Sequence, residues 1–181
     1  MPTIASKLKS NLSLNQINNV VVNNIALSDH SGTARLYSGP ESNTGATSLR
    51  AFDNGAESFE VHLSTFDELV EDFSRVTLVK VDVEGAELKV LRGMEKLMLN
   101  VRPTLLVEIT DSFLREMGDS AESLIRFVGK FGYVCYVIGD GKVTLLEKMQ
   151  DELPWQWNAL FTVGYHFGEG QVFHFSKAPG N

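Results

Sequence analysis

Three carboxylates stand where a strand gives way to a helix or a loop, which is where open α/β sheets bind their ligands. Asp82 and Glu84 end the apolar run Thr77-Leu78-Val79-Lys80-Val81-Asp82-Val83, and side chains two apart on a strand point the same way. Glu108 lies near the end of a second run, Thr104-Leu105-Leu106-Val107-Glu108-Ile109. A carboxylate among such neighbours needs a partner, a metal or a raised pKa, because an isolated buried charge is too costly. Facing one crevice, the three could act as general base, metal ligand or acceptor for a substrate hydroxyl. A second reading stays open here. Glu84 and Glu87 can simply complement the dipole of a helix beginning at Gly85, and a backbone or Arg partner can hold Glu108.

Other chemistries find less support. His30, His62, His166 and His174 show neither HExxH nor close-paired spacing, so no metal set can be named. His30 reads as a solvated turn residue and His62 as half-buried on a strand. Ser112 and Ser120 lack the flanking glycines of a nucleophile elbow. Gly168-Glu169-Gly170 precedes a strand instead of opening a helix, so it reads as a turn and not as a dinucleotide loop. The single Cys135 lies in Tyr133-Val134-Cys135-Tyr136-Val137 and reads as a buried structural thiol.

The elements that must position these groups follow from periodicity. Residues 3–14 have Ile4, Leu8 and Leu12 on one helical stripe, and Val20-Val21-Val22 begins a strand running to about Leu27. A turn at 28–32 leads into the strand Thr33–Tyr37, and residues 38–58, rich in Gly, Ser, Asn and Thr, read as a long loop. Phe59–Leu63 alternates like a strand with one buried face. Thr65 with Glu68 forms a capping-box pattern before a short helix carrying Phe66, Leu69, Val70 and Phe73. The run 77–83 has the apolar continuity of a central parallel strand. One helix with Val90, Leu91, Met94, Leu97 and Met98 inward then leads to the strand 104–109. Asp119 with Glu122 predicts another capped helix, with Leu124, Phe127, Val128 and Phe131 inward. A hairpin joins 134–138 to 143–146 through Gly139-Asp140-Gly141, and 161–163 and 172–175 read as closing strands. This alternation predicts a parallel α/β sheet finished by antiparallel strands, in one domain spanning residues 1–181.

Composition sets outer bounds. The 181 residues carry 16 Lys and Arg against 23 Asp and Glu, a formal charge of -7, and no basic run. Phosphate-backbone binding needs such cations, so no nucleic-acid partner is expected. No apolar stretch nears the roughly 20 residues that cross a bilayer, and the first residues lack a signal peptide's apolar core. A soluble, cytoplasmic protein without membrane insertion is the expectation.

Val81-Asp82-Val83-Glu84-Gly85-Ala86-Glu87-Leu88-Lys89-Val90-Leu91-Arg92-Gly93 resembles the signature of FkbM-type S-adenosylmethionine-dependent methyltransferases, which also occupies a strand–helix junction. The resemblance extends in order through Asn24–Asp29, Gly32–Ala34, Asn43–Leu49, Ser64–Leu69, Arg102-Pro103, Glu108-Ile109 and Asn158–Phe161. It implies a Rossmann-like class I fold with sheet order 3-2-1-4-5-7-6, S-adenosylmethionine as cofactor, and O-methylation of a sugar or natural-product hydroxyl. The acceptor is then a small molecule or saccharide. The resemblance assigns Asp82 to acceptor positioning or metal binding, with Glu108 as its neighbour and Glu84 shaping the site; whether a metal is needed is left open. Ala26 and Leu27 would flank the adenine, and Asn43, Gly45 and Ser48 would border the crevice.

The family's glycine-rich turn and ribose-binding acid should precede the helix at 3–14, where this chain begins; Pro2 is similar to the proline after that acid, and Met1 stands in the acid's place. An N-terminally truncated domain is therefore expected, with the two middle strands of the sheet missing and the edge of 77–83 unpaired. Association with a second copy would cover that edge. Two further readings stand beside the enzyme: a non-catalytic remnant acting as a binding module, and a sugar-binding module using the same carboxylates.

Overall fold

The computed structural model describes residues 2–37, 48–49, 58–139, 141–147 and 153–164. Helix α1 (Pro2–Leu14) comes first, followed by a three-stranded sheet of β1 (Ala26–Leu27), β2 (Gly32–Tyr37) and β3 (Ser58–Ser64). β3 lies in the middle, parallel to β1 and antiparallel to β2. The strand expected from residue 20 shrinks to Ala26-Leu27, and Val21 is 84% exposed. A β-branched run has the propensity for a strand, but without a paired neighbour it gains nothing from extending.

α2 (Phe66–Leu69) is a single turn whose N-cap Thr65 accepts from the Glu68 amide, so the capping is as expected while Phe73 falls beyond the helix. β4 (Leu78–Val81) then opens a five-stranded sheet with β5 (Thr104–Ile109), β6 (Val134–Gly139), β7 (Lys142–Leu145) and β8 (Trp157–Thr162), in the order β4-β5-β8-β6-β7. β4 and β5 are parallel and the other pairings antiparallel. The part β4-β5-β8-β6 reproduces the 4-5-7-6 half of the expected order. The apolar run that would suit a central strand is an edge, as the reading of a truncated sheet expected: β4 pairs only with β5 among the described residues, and Leu78 is 57% exposed.

Between β4 and β5 the expected single helix divides into α3 (Glu87–Arg92) and α4 (Glu95–Asn100). The break falls at Gly93, whose Cα lies so close to the Ser28 carbonyl that a Cβ would stand 2.0 Å from it. Asp67 of α2 then supplies the cap for α4, accepting from the Lys96 amide at 2.8 Å and the Leu97 amide at 3.3 Å. All five residues expected to face inward, Val90 to Met98, are buried.

α5 (Asp111–Glu116) has no counterpart in the periodicity reading. α6 (Ala121–Gly129) was expected, but its capping box is Ser120 with Ser123, while Asp119 pairs with Arg92 at 3.0 Å. The serine hydroxyl satisfies the helix amides, and the acid is drawn off by a cation from another helix.

One face of the larger sheet carries the core. Leu105, Val107 and Ile109 of β5 alternate inward with Ala159 and Phe161 of β8, and Leu88, Leu91, Leu97, Leu124 and Val128 cover them. Cys135 is buried there and its thiol is pushed up to about 12 by that burial, as a structural thiol should be. No helix among the described residues is long and apolar enough to cross a membrane. Residues 172–175, His166, His174 and the turn at 168–170 lie outside the described residues, as does most of the loop at 38–58.

Candidate functional site

β1 and β4 do not pair, and a crevice of about 470 Å³ lies between them. Ala26, Leu27, Phe66, Val81 and Met94 make its walls apolar, and Ser48, Lys80 and Asp82 are its polar groups. A few polar groups in an apolar cleft of this size is the usual make-up of a small-molecule site.

Asp82 follows the last residue of β4 and is more than a third exposed. Lys80, two residues earlier and on the same face, donates to it at 2.5 Å, and the carboxylate holds the ammonium above its ordinary pKa. The β4–β5 register ends at Val81 and Val107, so Asp82 and Glu108 stand level one position further on, on that same face. Glu108 is half-buried, not enclosed, and accepts a hydrogen bond from the Gln156 side chain. Its charge also acts on Lys80. Asp82 and Glu108 therefore share a face and both act on Lys80, though Glu108 does not line the crevice. Gln156 is thus a partner of the kind the sequence context called for.

Glu84 has left the strand. It sits in the turn after Val83 with φ +54°, and its carbonyl accepts from the Ser48 hydroxyl at 2.9 Å. Ser48, buried, thus ties the loop after β2 to the turn after β4, and a bridge to Tyr37 holds its backbone. Ala26 and Leu27 line the crevice. Asn43 and Gly45 lie outside the described residues.

The sequence offered Glu87 only the part of complementing a helix dipole, and the structure makes it the most constrained acid of the group. It is 2% exposed, its Oε1 accepts from the Gly85 amide at 2.9 Å and the Val83 amide at 3.3 Å, and its Oε2 has no partner among the described residues. Burial pushes the carboxyl up against the pull of those two amides, and the charge of Glu84 adds to the shift. The available signal was the glycine two residues before it: a turn that tight leaves amides pointing at the next helix's first side chain. His62 is exposed, not half-buried, and exposed His30 donates from Nδ1 to the Asp29 carboxylate at 2.7 Å. No group of three metal-binding side chains occurs among the described residues.

A sequence model of the methyltransferase FkbM domain matches residues 2–135. The chain belongs to the FkbM methyltransferase family. Its fold is similar to that of the methyltransferase FkbM from Methylobacillus flagellatus KT, with a TM-score of 0.52 over 86% of this chain at 14% identity. That likeness supports the Rossmann-like α/β reading of the larger sheet. The chain spans 33% of that protein's length. Comparison with the curated proteins found no match.

Proposed function

We propose that this FkbM-family chain is an S-adenosylmethionine-dependent O-methyltransferase domain that acts on a hydroxyl of a sugar or natural-product acceptor. The observation that carries the reading is the crevice, which brings Ala26 and Leu27 of β1 against Asp82 at the end of β4. Its donor set fits the cofactor: apolar walls suit a flat base and a thioether, and Ser48, Lys80 and Asp82 suit hydroxyls and charge. When bound, the cofactor supplies an electrophilic methyl group.

The protein's own residues do the remaining work. Ala26 and Leu27 flank the base, and Phe66, Val81 and Met94 supply the apolar wall beside it. Asp82 accepts the acceptor hydroxyl's hydrogen bond and takes its proton as the oxygen is methylated. Lys80 keeps that carboxylate in place, and the charge of Glu108 acts on Lys80 in turn. A reducing, cytoplasmic compartment suits the lone buried Cys135.

The test is methyl transfer from labelled S-adenosylmethionine to a panel of sugar and polyketide hydroxyls, with Asp82→Asn beside the wild type. Loss of a positioned general base lowers turnover by about 10²–10⁴. Asp82 is exposed, so its replacement should leave the unfolding midpoint nearly unchanged. Undiminished turnover in Asp82→Asn would leave this carboxylate no part in the chemistry.

A second reading, a non-catalytic binding module, draws on the open edge of β4. An edge strand unpaired among the described residues, beside an apolar crevice, is a template for another strand.

A further inference from the structure

We propose that Glu87 is the positioning residue of this site: its buried side chain sets the Val83–Gly85 turn and so fixes where Asp82 stands at the crevice. The inference rests on the reading of Asp82 as functional, while the geometry behind it stands apart from that reading.

A carboxylate that merely complements a helix dipole sits at the surface, where water solvates it. Glu87 is 2% exposed, and one of its oxygens is spent entirely on the turn before it. The turn needs such a hold. Glu84 takes φ +54°, a region that side chains other than glycine's seldom adopt. Gly85 takes φ +105°, where a Cβ would stand 2.7 Å from the Phe113 carbonyl oxygen, so no other residue fits. Backbone of this kind persists only when its surroundings over-determine it. Three groups do so here: the Glu87 carboxyl on the Val83 and Gly85 amides, the Ser48 hydroxyl on the Glu84 carbonyl, and the Phe113 backbone packed against Gly85.

Glu87 is the one of the three that takes up amide donors. Without it the Gly85 amide, in a buried residue, loses its acceptor, and an unpaired buried donor drives the backbone to rearrange. The turn is also the only covalent link between Asp82 and α3, and Asp82, Val83 and Ala86 all line the crevice. A turn that relaxes therefore moves Asp82 relative to the wall it shares. Oε2 has no partner among the described residues, and burial holds the carboxyl's pKa above its ordinary value.

The test uses the 181-residue chain with Glu87→Gln, Glu87→Asp and Glu87→Leu, read by amide chemical shifts and hydrogen exchange. Gln keeps an uncharged acceptor at the same reach, whereas Asp withdraws it by about one bond length, 1.5 Å. Leu keeps the bulk and loses the acceptor. The expected result for Asp and Leu is exchange at Val83 and Gly85 faster by about ten- to a hundredfold, as for one or two lost hydrogen bonds, with shifts moved from Asp82 to Gly85. Amides of Thr104–Ile109 should stay as protected as in the wild type, and Gln should restore the wild-type pattern. Glu87→Asp serves where Leu does not fold. Wild-type shifts at 82–85 in Asp would overturn the proposal, as would protection lost equally at 83–85 and 104–109, or a Gln variant as damaged as Asp. None of these readouts depends on methyl transfer, so a failure of the enzymatic reading appears separately, as absent turnover with the turn intact.

Discussion

Gly93→Ala tests how the smaller sheet is seated on the helices of the larger one. The added Cβ would lie 2.0 Å from the Ser28 carbonyl oxygen, 3.1 Å from its carbon and 3.3 Å from the Val90 carbonyl oxygen. Real Cβ atoms essentially never approach within 3.0 Å, so the Ser28 carbonyl must retreat by about 1 Å at the least. It cannot swing away as a side chain would, because Ser28 is buried and its amide donates to the Ser64 carbonyl at 2.9 Å. Gly93 itself has φ -76° and ψ 0°, which alanine adopts freely, so the whole effect is steric. Overpacking of this kind costs about 1–3 kcal/mol. The stiffer unfolded chain of the alanine variant returns about 0.4–1 kcal/mol. A net loss of about 1–2 kcal/mol should lower a urea midpoint by roughly 0.5–1 M, given slopes of about 1–3 kcal/mol/M. Gly129→Ala is the matched control, since a Cβ there meets nothing within 4 Å. Its midpoint should hold or rise. A Gly93→Ala midpoint within about 0.2 M of wild type would refute the reasoning, and with it the seating of β1 that shapes the crevice.

Three further outcomes are expected. The Glu87 carboxyl titrates above its ordinary 4.5 in the folded state, so the stability its neutral form contributes is complete below about 4.5 and is lost as pH rises through the raised value. In that window the wild type should lose stability relative to Glu87→Gln by at most about 1.4 kcal/mol per pH unit, and parallel curves for the two would remove the linkage. The 181-residue chain should bind S-adenosylmethionine in this crevice but weakly, because two of its three polar groups, Lys80 and Asp82, are already paired with each other; low-micromolar affinity by calorimetry would contradict this. The same chain should self-associate through the outer edge of β4, seen as a concentration-dependent sedimentation coefficient. A monomer at every concentration, with slow exchange across Leu78–Val81, would count against it.

What could be read from the sequence was whatever repeats along it. The inward stripe of Val90, Leu91, Met94, Leu97 and Met98 needs only helical spacing, and every one of the five is buried. The hairpin from Val134 to Leu145 needs only two β runs and a tight glycine turn, and Gly139 pairs with Lys142 across it. The residue types around Asp82 pointed to the family, because a motif that meets a strand–helix junction is local in the chain.

Burial of a charge is not local, and there the reading went astray. Glu108 sits in an apolar run, yet its side chain emerges half-buried, beside Lys80 and its partner Gln156. Glu87 sits among charged neighbours in the sequence and is enclosed, because Phe113 and Ser48 arrive from distant segments to pack the turn in front of it. The helix break at Gly93 belongs to the same class, since nothing in α3 or α4 announces that the Ser28 carbonyl will rest against that glycine. Propensity and period are properties of neighbours along the chain, and they determined the elements. Solvent exposure, hydrogen-bond partners and the placement of Asp82 depend on which segments meet in space, and only the tertiary structure decided those.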